Sequence, residues 1–278
     1  MQTLSEIKAL LESRGLAPRH ALGQNFLIDK NLVAKLIDAS GVKAGDTVLE
    51  VGPGTGTLTE GLLERGCRVV ACELDAGLAA LLRERIPALG FGDRFTLIEG
   101  DCLETGKRLA SAAATALGDG PFSLVANLPY GAATPLMLNL LIERPNCSIM
   151  AVTIQKEVAE RLMAAPASKD FGTLGVVTQA MAEVSLIATL PRECFWPRPD
   201  ITSAMVLVRR RAHPATDRPD LLAAFCQRVF QQRRKQLGST LGRAIPWPEG
   251  VTATMRAEEL SVEQFVKLAA LADSQLPG

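Results

Sequence analysis

The chain has 278 residues, 47% of them hydrophobic and 22% charged, which suits one large α/β core plus an appendage and excludes a disordered segment. Thirty basic and thirty acidic residues cancel, which taken alone argues against a polyanionic partner. Six cysteines without C-x-x-C spacing and only two histidines, His20 and His213, argue against a bound metal and against a Ser or Cys nucleophile with a placed base.

The opening "MQTLSEIKALLESRG" reads as an amphipathic helix, because Glu6, Lys8 and Glu12 interrupt the apolar run that a signal peptide needs. From residue 46 onward, short β-branched runs alternate with helical stretches. "DTVLEVG" is a strand, and "TLTEGLLERG" a helix closed by Gly66. "RVVACEL", "RFTLIEGD" and "FSLVAN" are further strands, with helices between them. "TPLMLNLLIE" reads as a helix with Thr134 as N-cap and Pro135 at its first position. "CSIMAVTIQ" and the helical "KEVAERLMAA" continue the alternation. Repeated βα units predict a doubly wound, Rossmann-like α/β domain with a parallel sheet.

Near residue 184 the pattern changes: "VSLIATL" and "SAMVLVRR" are strands joined by "PRECFWPRP", too short for a crossover helix, and form a hairpin at the sheet edge. After His213 the sequence is helical, and "RAEELSVEQFVKLAALAD" carries a Ser261/Gln264 capping box. Two domains are therefore expected, residues 1–210 and a small all-helical 211–278. The longest apolar stretch, 122–142, contains Asn127, Pro129 and Pro135, so a membrane span is not expected and a monomeric cytoplasmic protein is.

"VLEVGPGTGTLT" places Glu50, Gly52, Gly54 and Gly56 at a strand-to-helix turn, where missing Cβ atoms let a ligand lie against the backbone. The next strand ends in Glu73, suited to the hydroxyls of a ribose, and the third in Asp101, near an adenine amine. The turn has neither G-x-G-x-x-G nor G-K-[ST] form, so a cofactor with ribose and adenine but no phosphate fits it best. S-adenosyl-L-methionine meets that description, and Glu50 suits its cationic amino acid end. The fourth strand then runs into "NLPY". Asn127 Oδ1 and the Leu128 carbonyl can accept the two N–H groups of an adenine amine and so expose its lone pair; Pro129 stiffens the turn and Tyr130 offers a stacking ring.

Net neutrality hides an uneven distribution: residues 209–243 hold nine basic residues against two acidic ones. Within "QQRRKQ", read as part of a helix face, Arg233, Arg234 and Lys235 join Arg228 as candidate phosphate contacts.

Taken together, "RHALGQNFLID", "VLEVGPGTGTLT", "NLPY", "FWPRPDITSAMV", "VFQQRRKQL" and "RAEELSVEQFVKLA" resemble, in order, the motifs of the ribosomal RNA adenine dimethyltransferases, most closely those of the small subunit. The resemblance implies that Asn25 and Leu27 contact the cofactor together with Gly52, Glu73, Asp101 and Asn127. It implies that Phe195 faces the target base opposite Tyr130. The implied reaction dimethylates two adjacent adenosines in a loop near the 3′ end of 16S RNA, within a small-subunit assembly intermediate. Two relatives by fold are the alternatives: a large-subunit enzyme that confers antibiotic resistance, and a non-catalytic assembly or transcription factor.

Overall fold

A computed structural model describes residues 1–275 apart from 105–107 and 243–244; Arg243 of the basic stretch thus lies outside the described residues. The chain opens with α1 (Leu4–Glu12), then β1 (Phe26–Leu27) and α2 (Lys30–Ser40). The alternation continues through β2 (Thr47–Val51), α3 (Thr57–Glu64), β3 (Arg68–Glu73), α4 (Ala76–Ala88), β4 (Phe95–Glu99), α5 (Ser111–Leu117) and β5 (Phe122–Asn127). After them come α6 (Tyr130–Glu143), β6 (Cys147–Gln155), α7 (Lys156–Leu162), α8 (Thr173–Met181) and β7 (Ala182–Leu190). The last elements are β8 (Phe195–Trp196), β9 (Ser203–Arg210), α9 (Pro219–Phe230), α10 (Leu237–Leu241) and α11 (Val262–Gln275).

The main sheet runs β4-β3-β2-β5-β6-β9-β7, with β7 at the edge and β9 beside it. Strands β4, β3, β2, β5 and β6 pair in parallel. Val48, Leu49, Leu124, Val125 and Ala126 are fully buried, as expected of parallel strands covered on both faces. After β4 the chain crosses back to place β5 on the free side of β2, with Leu49 opposite Leu124. At such a reversal of strand order, connections leave in opposite directions and open a crevice at the strands' carboxyl ends. A small antiparallel pair, β1 with β8, sets Phe26 opposite Trp196 and Leu27 opposite Phe195.

Helix boundaries follow their caps. Asp29 opens α2 and Asp75 opens α4, each accepting two N–H groups of the first turn, and Gly41 closes α2 with φ +71°. The start of α6 differs from expectation: it begins at Tyr130, so Thr134 is not its cap and Pro135 lies inside it. Pro129 has φ −57° and occupies the cap itself, and Ala132 N–H closes the first turn on its carbonyl. The helix therefore grows directly from the NLPY turn, and Pro135 forfeits one interior hydrogen bond.

The chain divides into two compact units, one of residues 1–140, 144–156 and 185–208, the other of 141–143, 157–184 and 209–278. The second thus takes in α7 and α8 as well as the C-terminal helices. Its core joins α8, α9 and α11 around Phe171, Phe225, Phe230 and Phe265, with Phe230 and Phe265 stacked at 5.4 Å. Ser261 and Gln264 form the expected reciprocal cap of α11. Helix α9 stops at Phe230. Its apolar stripe (Leu222, Phe225, Cys226, Val229) and Phe230 have no apolar successor before Leu237, so "QQRRKQ" forms turns instead of the expected helix face.

Gly175 in α8 lets that helix pass close to α7: a Cβ there would lie 2.7 Å from the Arg161 carbonyl oxygen. Gly175→Ala should destabilise the protein by about 1–3 kcal/mol in spite of alanine's better helix propensity, measured by chemical denaturation.

Candidate functional site

A cavity of about 500 Å³ lies at the carboxyl ends of β2, β3 and β5, a size ordinary for small-molecule sites. Its wall includes Glu50, Gly52, Gly54, Glu73, Asp101, Asn127, Leu128, Pro129 and Tyr130, and residues 20–27 form another part of it, Asn25 and Leu27 among them. Among the described residues, no group of three or more His, Cys, Asp or Glu is placed to hold a metal ion.

The glycine turn is shaped by the protein as much as by any ligand. Gly52 (φ +71°) and Gly54 (φ +62°) are left-handed, a conformation that side chains resist. A Cβ on Gly52 would meet the Pro129 ring at 3.0 Å, and one on Gly54 the Phe26 ring at 2.8 Å. The two motifs are therefore in direct contact through Gly52 and Pro129. Gly56 caps α3.

Three acidic side chains line the cavity, and two of them, Glu50 and Glu73, are buried. Glu73 accepts from Gly54 N at 3.1 Å and Asp75 N at 2.9 Å; burial raises its pKa while these donors oppose the rise. A carboxylate can accept about four hydrogen bonds, so both oxygens retain capacity for ribose hydroxyls. Glu50, 1% exposed, has a single side-chain donor among the described residues, the Thr59 hydroxyl at 2.7 Å. Burial, with a smaller push from Glu73, lifts its pKa to about 8. Asp101 is exposed and takes Leu103 N–H on one oxygen. The Thr57 hydroxyl, also in the wall, is buried without a partner among the described residues.

The Asn127 amide is oriented. Its Nδ2 donates to the Asn25 carbonyl at 2.9 Å, which leaves Oδ1 as the free end. Leu128 N–H is held by the Thr153 carbonyl at 3.0 Å, and the Tyr130 hydroxyl lies 3.1 Å from the buried Ser203 hydroxyl. Sequence reasoning missed the Ser203 and Asn25 contacts, because neither partner is near in sequence.

Two expected site residues lie elsewhere. Phe195 is 3% exposed and packs in the hydrophobic core with Leu27, Leu190 and Met205, so it does not face Tyr130 across the cavity. The pairing of β8 with β1 turns Phe195 inward, and its neighbour Trp196 stacks on Phe26. Arg233 is half-buried: it pairs with Glu258 and donates to the carbonyls of Phe171 and Ser168, both at 2.9 Å. Its guanidinium binds the protein itself and is unavailable to phosphate. Arg228, Arg234 and Lys235 are exposed.

A parallel sheet with a glycine turn and a paired acidic strand end at its switch point defines a Rossmann-like, S-adenosylmethionine-dependent methyltransferase. The cavity fits that cofactor: a backbone cradle without Cβ atoms, a carboxylate with spare acceptors, and a buried acid beside a cation's place. The sequence profile of the ribosomal RNA adenine dimethylase family matches residues 16–274, and the chain belongs to that family. It is 41% identical, over 277 residues and 97% of each chain, to ribosomal RNA small subunit methyltransferase A of Magnetococcus marinus. Its fold is similar to a dimethyladenosine transferase from Plasmodium falciparum (TM-score 0.72, 22% identity, 87% of this chain and 95% of that one). It is also similar to the 23S rRNA methyltransferase ErmE (TM-score 0.66, 26% identity, 90% of this chain and all of that one). No helix among the described residues is long and apolar enough to cross a membrane.

The raised pKa of Glu50 carries a sign. The unfolded chain releases this proton near pH 4.5 and the folded protein keeps it to about 8, so folding stability falls as pH rises between them. The limiting slope is about 1.4 kcal/mol per pH unit. Glu50→Gln should flatten that fall, as measured by urea denaturation of both proteins at several pH values from 5 to 8.

Proposed function

We propose that this protein dimethylates the exocyclic amines of two adjacent adenosines in a loop near the 3′ end of 16S ribosomal RNA. In this reading it works in the cytoplasm as a monomer, on a small-subunit assembly intermediate. The observation that carries the reading is the direction of the Asn127 amide. With Nδ2 spent on the Asn25 carbonyl, Oδ1 is an acceptor at the end of β5, beside the Gly52–Pro129 contact. The name of the 41% identical relative supports the small subunit over the large one.

S-adenosyl-L-methionine, when bound, supplies a methyl group made electrophilic by its sulfonium. Asn25, Leu27, Gly52, Gly54, Glu73, Asp101 and Asn127 are the residues proposed to hold it, with Glu73 accepting from the ribose hydroxyls. An adenine amine is a weak nucleophile because its lone pair is delocalised into the ring. Asn127 Oδ1 and the Leu128 carbonyl each accept one of its N–H groups, which favours a pyramidal nitrogen with its lone pair free. Pro129 keeps the turn from relaxing, and Tyr130 receives the flipped base on its ring. No strong base is required, since the nitrogen becomes acidic as it gains the methyl group.

Residues 211–278 are proposed as the RNA-recognition domain, with Arg228, Arg234 and Lys235 contacting phosphates. Phe195 is left out of the base-binding set because its side chain is spent in the core.

Asn127→Ala should lower methyl transfer to undermethylated small subunits by about 10²–10³-fold while RNA affinity holds, as read by labelled cofactor and filter binding. Unchanged turnover would remove the proposed role. Reversing charge at Arg234 and Lys235, with Arg233 retained for stability, should weaken RNA binding and reduce its salt slope by about one unit per lost contact. Equal affinities across a salt series would dismiss these contacts.

A further inference from the structure

The carbonyl that orients Asn127 belongs to a loop that is itself tied down. Residues 19–24 close on themselves: Arg19 N–H donates to Gln24 Oε1 at 2.8 Å, and a turn at His20–Leu22 ends at Gly23 with φ +64°. Asp75 Oδ2 fastens this closed loop to the body. Gln24 Nε2 donates to it at 3.1 Å, and Arg19 Nε lies 3.3 Å from it. Asp75 is 3% exposed, and its other oxygen caps α4 through Gly77 N and Leu78 N. One buried carboxylate thus divides its oxygens between a helix start and the loop.

The next residue after Gln24 is Asn25, whose carbonyl receives Asn127 Nδ2. On its other side, Phe26 and Leu27 pair with β8. The Asn25 carbonyl is therefore held from both directions, by β-pairing after it and by the Asp75 contacts before it. That matters because an amide is nearly symmetric in shape. Flipped about its last bond, Asn127 would present Nδ2 to the target amine, a donor facing a donor. The Asn25 carbonyl is the contact that distinguishes the two orientations.

Resting on the reading of Asn127 as an acceptor, we propose that Asp75, Gln24 and Arg19 form a positioning latch for methyl transfer. The latch keeps the Asn25 carbonyl in place and so keeps Asn127 Oδ1 turned toward the target amine. Loosening it lowers the rate of the chemical step, since displacements on the order of 1 Å at a reacting group can cost 10²-fold. Asp75 is a poor first target because its loss also uncaps α4, so the variants fall on its partners. Gln24→Met keeps the length and removes the polar atoms; Arg19→Met removes the charge and Arg19→Lys restores it.

The experiment is single-turnover transfer from labelled cofactor to undermethylated small subunits, both saturating, alongside RNA and cofactor affinities and melting temperature. The latch predicts that Gln24→Met slows transfer about tenfold or more. RNA affinity and melting temperature stay at wild-type values, and Arg19→Lys regains most of what Arg19→Met loses. A wild-type rate in Gln24→Met, with Asn127→Ala inactive, overturns the latch and spares the assignment of Asn127. A slower rate fully explained by weaker RNA binding or a lower melting temperature also overturns it. Wild-type protein that labels no adenosine overturns the reading on which the latch rests.

Discussion

The parallel pairing of β5 alongside β2 is the constraint on which the rest of the structure depends. Had β5 joined the sheet beyond β4, two strands would separate Asn127 from the glycine turn. Because the chain crosses back, the carboxyl ends of β2 and β5 are neighbours, and the loops leaving them diverge around a cavity. The contact of Gly52 with Pro129 is the consequence at atomic scale. A left-handed glycine and a rigid ring meet there because the two strand ends are side by side.

Around that cavity the protein tolerates buried acids that a core would not. Asp75 and Glu73 are each met by several donors, which is how buried carboxylates are ordinarily accommodated. Glu50 is the exception, with the Thr59 hydroxyl alone among the described residues and a pKa near 8. A cation alongside it would favour its ionised form, so the unfavourable burial of its charge becomes complementarity toward a positively charged ligand. Local rules of stability are broken where binding is done.

What the sequence disclosed and what it hid divide along physical lines. Strand runs, the Ser261/Gln264 box and the glycine turn depend on residues within a few positions of each other, and patterns of that range are visible in one dimension. That Glu73, Asp101 and Asn127 share one cavity wall is legible for the same reason: each stands at or just past the end of a strand whose period is plain. The start of α6 was misplaced because Thr134-Pro135 looks like a local cap, whereas Pro129 five residues earlier already set the backbone. Contacts such as Asn25 with Asn127 or Gln24 with Asp75 span 102 and 51 positions, and no local pattern announces them. Phe195 was misjudged because an aromatic beside a proline-rich turn looks the same whether it faces a ligand or a core.

Arg233 and Arg234 show why a charge run is an incomplete guide to a nucleic-acid surface. They are adjacent, identical and equally basic on paper. Once α9 runs out of apolar residues and the backbone turns, their side chains diverge. One guanidinium is drawn in to satisfy two carbonyls and Glu258, because buried acceptors left unpaired cost more than a surface cation gains. The other stays in solvent. A net balance near zero and a local surplus of positive charge are both true of this chain, and neither counts the contacts a phosphate would find. That number depends on which cations the fold has already used for itself.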